Sequence, residues 1–475
     1  MPFGDMFYAV QTADNGGEEL RKALQAGYGT DAAQFAGGRT LQPESMELTM
    51  LMAMREQPED CKLMNQIARR PVSSTVHQYN VRTEAGADYQ FLTAGEGGEA
   101  NATDQDIKRI YKDIKYLQTY RSVTDQMLAV ESFESALAAE KMAGTLTILK
   151  AAEYLCFHGD SGVNSTEYDG LIKVITDNRG KPAEANAVDL RGRSIGTAGR
   201  RFFDEPAERI YQAGGDCNIL YFPPPLAADI QELAVGDSVR YIGNMSLKPD
   251  GGNAATAVAD HFTTPFGNRI NFGESCGADN FFRVKGKTEA SGNVQTRSAA
   301  PTAALAAQAG VSGSLFLAAQ AGTYQYAARG INRFGISTAS TAASVAVAAN
   351  GGAVITITPS PTGLETGYII TRSEKDGSNL MEMKRIPRDT QNPETVYTDK
   401  NEDLPGTAEA LWLTEKRLQT ILEFYQLIPL HYRPLYENKT AEKPFLIQLF
   451  GAADLKVPTF CAVTKNIQYR GGLVY

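Results

Sequence analysis

The sequence predicts an α+β chain with an all-β module set into it. Three observations carry this. Residues 131–155 are rich in Ala, Leu, Glu and Lys and free of proline, which marks one long helix. On either side of that helix, segments of helical and of strand periodicity alternate as far as residue 283, and such a mixture resumes at Trp412. Between them, Ala300–Ala410 reads only as short strands bounded by Gly, Pro or Ser.

Residues 1–70 are loosely patterned and broken by Gly16-Gly17, Gly37-Gly38 and Pro43, an arm that needs something to lie against; Leu48–Met54 is its apolar stretch. Residues 71–122 form an excursion. Thr75–Arg82 alternates like a strand, Ala94–Asn101 is a Gly-rich tip, and Asp106–Leu117 returns. Ile107, Ile110, Tyr111, Ile114 and Leu117 on that return limb fit helical spacing, although their β-branched and aromatic character leaves strand open. The long helix and the turn region after it make up 123–180.

Residues 181–283 are mixed. Asp204–Gly214 has an acidic first turn, an early Pro and a terminal Gly, so it is a helix. Cys217–Phe222 is a buried strand, Leu226–Leu233 a helix, and His261–Phe272 two short strands around a turn. Residues 284–411 hold a polar linker, Val284–Ala300, and the module, with strands at Gly322–Asn332, Ala353–Thr358 and Gly367–Arg372. Residues 412–475 return to the host as a helix at Thr414–Gln426 and strands at Phe445–Phe450 and Thr459–Val463.

The net charge of −9 argues against a protein whose main task is gripping a phosphate backbone. The start of the chain lacks the basic and apolar regions of a signal peptide, and no run of about 18 apolar residues implies a membrane span. Cys61, Cys156, Cys217, Cys276 and Cys461 are scattered without a CxxC pair, as expected of free thiols in a reducing compartment. Cys156, His158 and Asp160 stand close together, but their spacing fits no zinc pattern. No nucleophile elbow, phosphate loop or dinucleotide fingerprint occurs. No catalytic residue, cofactor or metal is expected, and no enzymatic activity.

Several passages together resemble the major capsid proteins of tailed bacteriophages, the Hong Kong 97-type fold. One is the long helix running into His158-Gly-Asp-Ser161 and then Asn164-Ser-Thr-Glu-Tyr-Asp-Gly-Leu-Ile172. Others are Phe262–Gly267, Lys443–Gly451, Val457–Phe460 and Lys465–Ile467. The order of parts is similar too: N-terminal arm, extended loop (71–122), spine helix, peripheral and axial domains. The module resembles an immunoglobulin-like or fibronectin type III sandwich, through Gly322–Ala327, Asn332–Ser337, Tyr368–Ser373 and Lys375–Gly377. The missing Cys…Trp…Cys pattern excludes the disulfide-bearing antibody type.

The resemblance implies a head protein that self-assembles into an icosahedral shell around double-stranded DNA, without sequence-specific binding, and carries the module on its outside. It implies pentamers and hexamers, a separate scaffolding protein, a portal, and a cement or decoration protein. The virion capsid, assembled in the host cytoplasm, is the expected location. An adhesin-like protein whose sandwich recognises a surface glycan or protein is one rival reading, and a hydrolase with an accessory β domain is the other. A two-limbed hairpin is marginal alone, so the candidate assembly residues are Val81, Ile107, Ile110 and Ile114, with Lys108 and Lys112 in a mixed-charge run facing a neighbour.

Overall fold

A computed structural model describes residues 60–84, 86, 92–94, 96–99, 104–129, 135–240, 247–249, 257–259, 261–271, 278–414, 421–436 and 441–475. In chain order the host begins with α1 (Lys62–Gln66), β1 (Ala68–Pro71), β2 (Val76–Glu84), β3 (Asp106–Asp113) and β4 (Lys115–Thr124). Helices α2 (Asp125–Ala129), α3 (Ala136–His158) and α4 (Leu171–Asp177) come after them. Next are β5 (Ala187–Asp189), α5 (Ile195–Ala198), α6 (Arg201–Gln212), β6 (Cys217–Tyr221) and α7 (Ala227–Arg240). Four short strands close this half: β7 (Leu247–Pro249), β8 (Ala257–Ala259), β9 (His261–Thr263) and β10 (Arg269–Asn271).

The module adds β11 (Ser291–Gly292), β12 (Thr302–Gln308), β13 (Gly322–Asn332), β14 (Gly335–Ile336) and β15 (Ala343–Val347). It continues with β16 (Gly352–Thr358), β17 (Gly367–Arg372), β18 (Met381–Pro387) and β19 (Thr395–Asp399). The host then resumes with β20 (Thr407–Thr414), β21 (Leu422–Pro434), β22 (Glu442–Leu455) and β23 (Ala462–Gln468).

The class is α+β. Two host sheets organise it. One runs β1-β21-β22-β4, with the 23-residue α3 across one face. Gly144 of α3 lies so close to this sheet that a Cβ there would stand 2.6 Å from the Ile447 side chain. Their shared core holds Leu63, Met64, Ile148, Phe157, Phe424, Phe445 and Leu449. The second sheet runs β5-β23-β20-β6-β10-β9. Its core gathers Phe202, Phe203, Ile210, Leu220, Phe262 and Trp412, whose indole N–H donates to Thr464 Oγ1.

One open alternative is decided and three expectations are corrected. The return limb, left open between helix and strand, is strand: β3 pairs antiparallel with β2 from Val76↔Asp113 to Glu84↔Asp106. Apolar residues fall on both faces of this ribbon, and that mixture imitates a helical stripe. The helix expected over Thr414–Gln426 is instead the start of β21, in the described part of that span. Leu422, Phe424 and Tyr425 are buried between partners, and burial on both sides erases the period-two signal. Residues 60–70, read as part of the arm, sit in the core through Leu63, Met64 and Ile67. The module ends before residue 407, not at 411, because β20 belongs to the host sheet between β23 and β6. The remainder of the arm, Leu48–Met54 included, lies outside the described residues, as do 131–134 and Cys276.

The module is a two-sheet sandwich. β15, β13, β17 and β18 form one sheet with the short β14 and β11, and β12, β16 and β19 form the other. Both contribute to one core: Tyr326, Tyr368, Ile370 and Met383 from the first, Ile355, Ile357 and Leu305 from the second. At one end Arg372 is buried and donates to Asp399 Oδ2 at 2.6 Å and to Asn401 Oδ1 at 2.8 Å; the Tyr326 hydroxyl donates to the same Asp399 oxygen. Losing one partner of a buried cation so paired would leave an uncompensated charge, which fixes this end of the sandwich in one arrangement.

The candidate assembly surface and the module seam

The β2–β3 ribbon has two unlike faces. Directly paired residues share a face, so His77, Tyr79 and Val81 lie with Lys112, Ile110 and Lys108. The base of this face packs on its own subunit. The His77 ring stands 4.1 Å from that of Tyr425, and Lys112 Nζ lies 3.8 Å from Asp454. The Tyr79 hydroxyl is held well above its ordinary range by burial and by Asp454, and it accepts a bond from Arg179. The opposite face carries Val76, Ile107 and Tyr111, all exposed, the last at 61%.

The six candidate residues therefore divide. Ile107 is exposed on the outer face. Val81 and Ile110 are half-buried on the inner face. Lys108 is exposed and pairs within its own strand with Asp106 at 3.2 Å. Two of the six pack within their own subunit. Ile114 is 3% exposed and belongs to the subunit core, and its N–H donates to Thr75 O where the ribbon joins the body. Lys112 faces Asp454 of its own chain. Beyond the six candidates stand exposed aromatic residues: Tyr111, and on β4 Tyr116 and Tyr120, each more than half exposed. The alternation of Lys115–Thr124 carried that signal, since every second side chain there is exposed.

The passage after α3 is a structural knot. Gly170 N–H donates to Gly159 O at 2.8 Å, and a Cβ on Gly159 would collide with Tyr168 O, so the backbones need glycine there. Asp160 Oδ1 accepts from Gly162 N–H and Lys173 Nζ; Asp169 Oδ1 accepts from Ser161 and from the same lysine. Cys156, His158 and Asp160 face different partners. Cys156 lies beside Met64 and Tyr168, and His158 Nε2 accepts Arg283 N–H at 2.8 Å. Burial, with Arg283 beside it, holds the imidazole well below its usual pKa, so it is neutral.

The module is seated on the host through charge. Arg283 of the host reaches both Glu382 oxygens of β18 at 2.6 Å, and Arg385 holds one of them at 3.0 Å. Although burial opposes ionisation, these two guanidiniums keep the Glu382 carboxyl far below the usual range. Lys285 lies between Asp403 and Glu409, at 3.6 and 3.4 Å. The chain leaves and re-enters the host side by side: Lys285 N–H donates to Thr407 O, and Gly406 N–H to Lys285 O. Val163 of the host packs with Ile331 and Ile369 of the module. The connector is bound along the sandwich, by Glu382 N–H to Gly286 O, by the β11–β14 pair and by Asn332 Nδ2 to Thr296 O.

The family model described as SU10 major capsid protein matches residues 49–275. A relative named "Putative major capsid protein", from Enterococcus phage phiEF24C, is 22% identical over 475 residues, 95% of each chain. Solved structures similar to this chain include the capsid of the native GTA particle, 10% identical with TM-score 0.45, covering 93% of this chain and 99% of that one. The holo-SrpI encapsulin complex of Synechococcus elongatus PCC 7942 is 11% identical with TM-score 0.42, covering 93% and 98%. A Mycobacterium phage Adephagia structure is 10% identical with TM-score 0.43, covering 90% and 96%. The order of parts seen here, an extended ribbon, a long helix across one sheet and a second α/β sheet, follows the order that the resemblance to tailed-phage capsid proteins implies. The matched family model and the full-length relative are both described as major capsid proteins, so the chain is similar to the phage proteins that form a capsid shell.

Proposed function

We propose that the β2–β3 ribbon reaches a neighbouring subunit through its outer face, and that the sandwich is an immunoglobulin-like module carried on the outside of the shell. The observation that supports the first part is the exposure of Val76, Ile107 and Tyr111 on one face of a ribbon whose other face is partly occupied by its own subunit. Exposed apolar side chains on a projecting element are stabilised by cover from another copy. The outward position of the module is supported by its mounting: the chain departs and returns at one point, and an ionic seam leaves the host sheets intact. Subunits arranged as pentamers and hexamers around double-stranded DNA, with a separate scaffolding protein and a portal, complete this function.

Electron microscopy of the expressed chain tests it. Closed shells of uniform radius with density for the module outside are the expected result. Shells with that density inside would overturn the outward placement, and soluble monomers under all conditions would overturn the ribbon contact.

A further inference from the structure

The strand at one edge of the module, β12, contains no charge or proline, although Pro301 directly precedes it. β12 hydrogen-bonds to β16 on one side, and among the described residues no strand hydrogen-bonds to its other side. An open edge presents a row of N–H and C=O groups that template another strand, and proteins commonly blunt such edges with charge or proline. The edge strands β18 and β19 are treated in that way. β18 carries Glu382, Lys384, Arg385 and Pro387 and is met by the connector at Gly286. β19 is short, preceded by Pro393 and Glu394 and ended by Asp399-Lys400. From Ser298 to Ala328 the chain has no charged residue at all. Within β12, Thr302, Ala304, Ala306, Ala307 and Gln308 are exposed.

The occupant is indicated by the sequence of the strand, Thr302-Ala-Ala-Leu-Ala-Ala-Gln308, which has nearly the same size profile in both directions about Leu305. In an antiparallel pair the residue numbers of opposed positions sum to a constant. Rotating β12 onto a second copy about Leu305 sets Ala304 opposite Ala306, Ala303 opposite Ala307 and Thr302 opposite Gln308. No charged pair meets, so the strand is complementary to itself under a two-fold axis, the requirement for an isologous contact. β15, also uncharged, flanks β12 at the same corner of the sandwich but is shorter, with Val345 and Val347 buried.

We propose that β12 pairs antiparallel with β12 of a second copy of this chain, joining two three-stranded sheets into a single continuous one. Such β-augmentation draws its affinity from main-chain hydrogen bonds. In a shell the pairing links subunits across local two-fold axes, a tie separate from the ribbon contact. It rests on the shell function only for bringing many copies within reach; it does not depend on which side the module faces.

The test is disulfide trapping in the full chain. With Ala304→Cys and Ala306→Cys together, each cysteine faces one of the partner copy. With Thr302→Cys and Ala306→Cys, on the same strand, none does. Mild oxidation and a non-reducing gel should show a dimer forming at least about ten-fold faster for the first variant, with circular dichroism unchanged for both. Equal trapping of both, or none by a folded first variant, overturns the pairing. Should the first variant fail to fold, Thr302→Cys with Gln308→Cys reads the same register from the strand ends. Dimer formation by that pair supports the proposal, and its absence overturns it. Shells that still assemble without trapping would sink this inference while leaving the ribbon contact intact.

Discussion

The buried carboxyl of Glu153 shows how much one residue of the spine helix controls. It is fully buried, and its two oxygens accept Leu63 N–H at 2.8 Å and Met64 N–H at 2.7 Å, fastening α1 to α3. Asp279, also fully buried, lies against it, with its own Oδ1 accepting Phe281 N–H. Burial first, then the hydrogen bond and charge of Asp279, raises the Glu153 pKa to about 9, so the two acids share a proton near neutrality. Asp60, Cys61, Lys62, Cys156 and Tyr168 are the other titratable groups around the pair. A raised folded pKa means stability present below the unfolded value, about 4.5, and lost as pH rises toward 9. The melting temperature should therefore fall as pH climbs through neutrality toward about 9. Asp279→Asn, whose amide can donate where the shared proton stood, should flatten that decline. A variant melting with the slope of the parent would show that the pair does not hold the proton.

Among the elements, the ribbon and its root behave oppositely. Ile114→Asp places a charge in the subunit core and should cost about 3 kcal/mol or more, with a large fall in melting temperature before any assembly is measured. Tyr111→Asp, on the outer face, should leave circular dichroism unchanged and stability within about 0.5 kcal/mol of the parent, yet stop particle formation. Sedimentation of both separates the roles; normal particles from the Tyr111 variant would remove the outer face from the contact. The long α3 was legible because propensity and length act locally. The strand character of β21 was not, and that of β3 stayed open, because both strands bury or expose apolar groups on two faces, a fact set by neighbours distant in sequence.

The molecule as a whole depends on how firmly the sandwich is mounted. The strands β12 and β19 run in the same direction on either side of β16, so the module's ends lie at opposite ends of that sheet. The connector 284–300 spans the difference and is hydrogen-bonded along the way. Glu382→Gln removes the anion that holds Arg283 and Arg385, and it should lower stability by about 3 kcal/mol and open the connector to protease. An unchanged cleavage rate would show that the apolar seam at Val163, Ile331 and Ile369 suffices. Acid should act likewise: the depressed pKa of Glu382 supplies stability above the unfolded value, about 4.5, that is lost as pH falls below it. Replacing 287–404 by a short Gly/Ser linker should leave the host folded, since Lys285 and Gly406 already meet. Cutting at 300–410 instead should unfold it by removing half of β20. Soluble, folded protein from the second deletion would contradict the assignment of that strand.

Local chemistry along the chain was enough to mark the spine helix, the Gly-rich turn after it, the strands at Gly322–Asn332, Ala353–Thr358 and Gly367–Arg372, and the break in pattern that announces a second body. Each depends on propensity, periodicity or turn signals over a few residues. Packing alone decided that 60–70 is core, that Ile114 and Lys112 serve their own subunit, and that Thr407 begins a host strand. It also set Glu153 beside Asp279 and Arg283 beside Glu382. Those facts arise from contacts between residues tens to hundreds of positions apart, and only the packed chain brings their charges and apolar surfaces together.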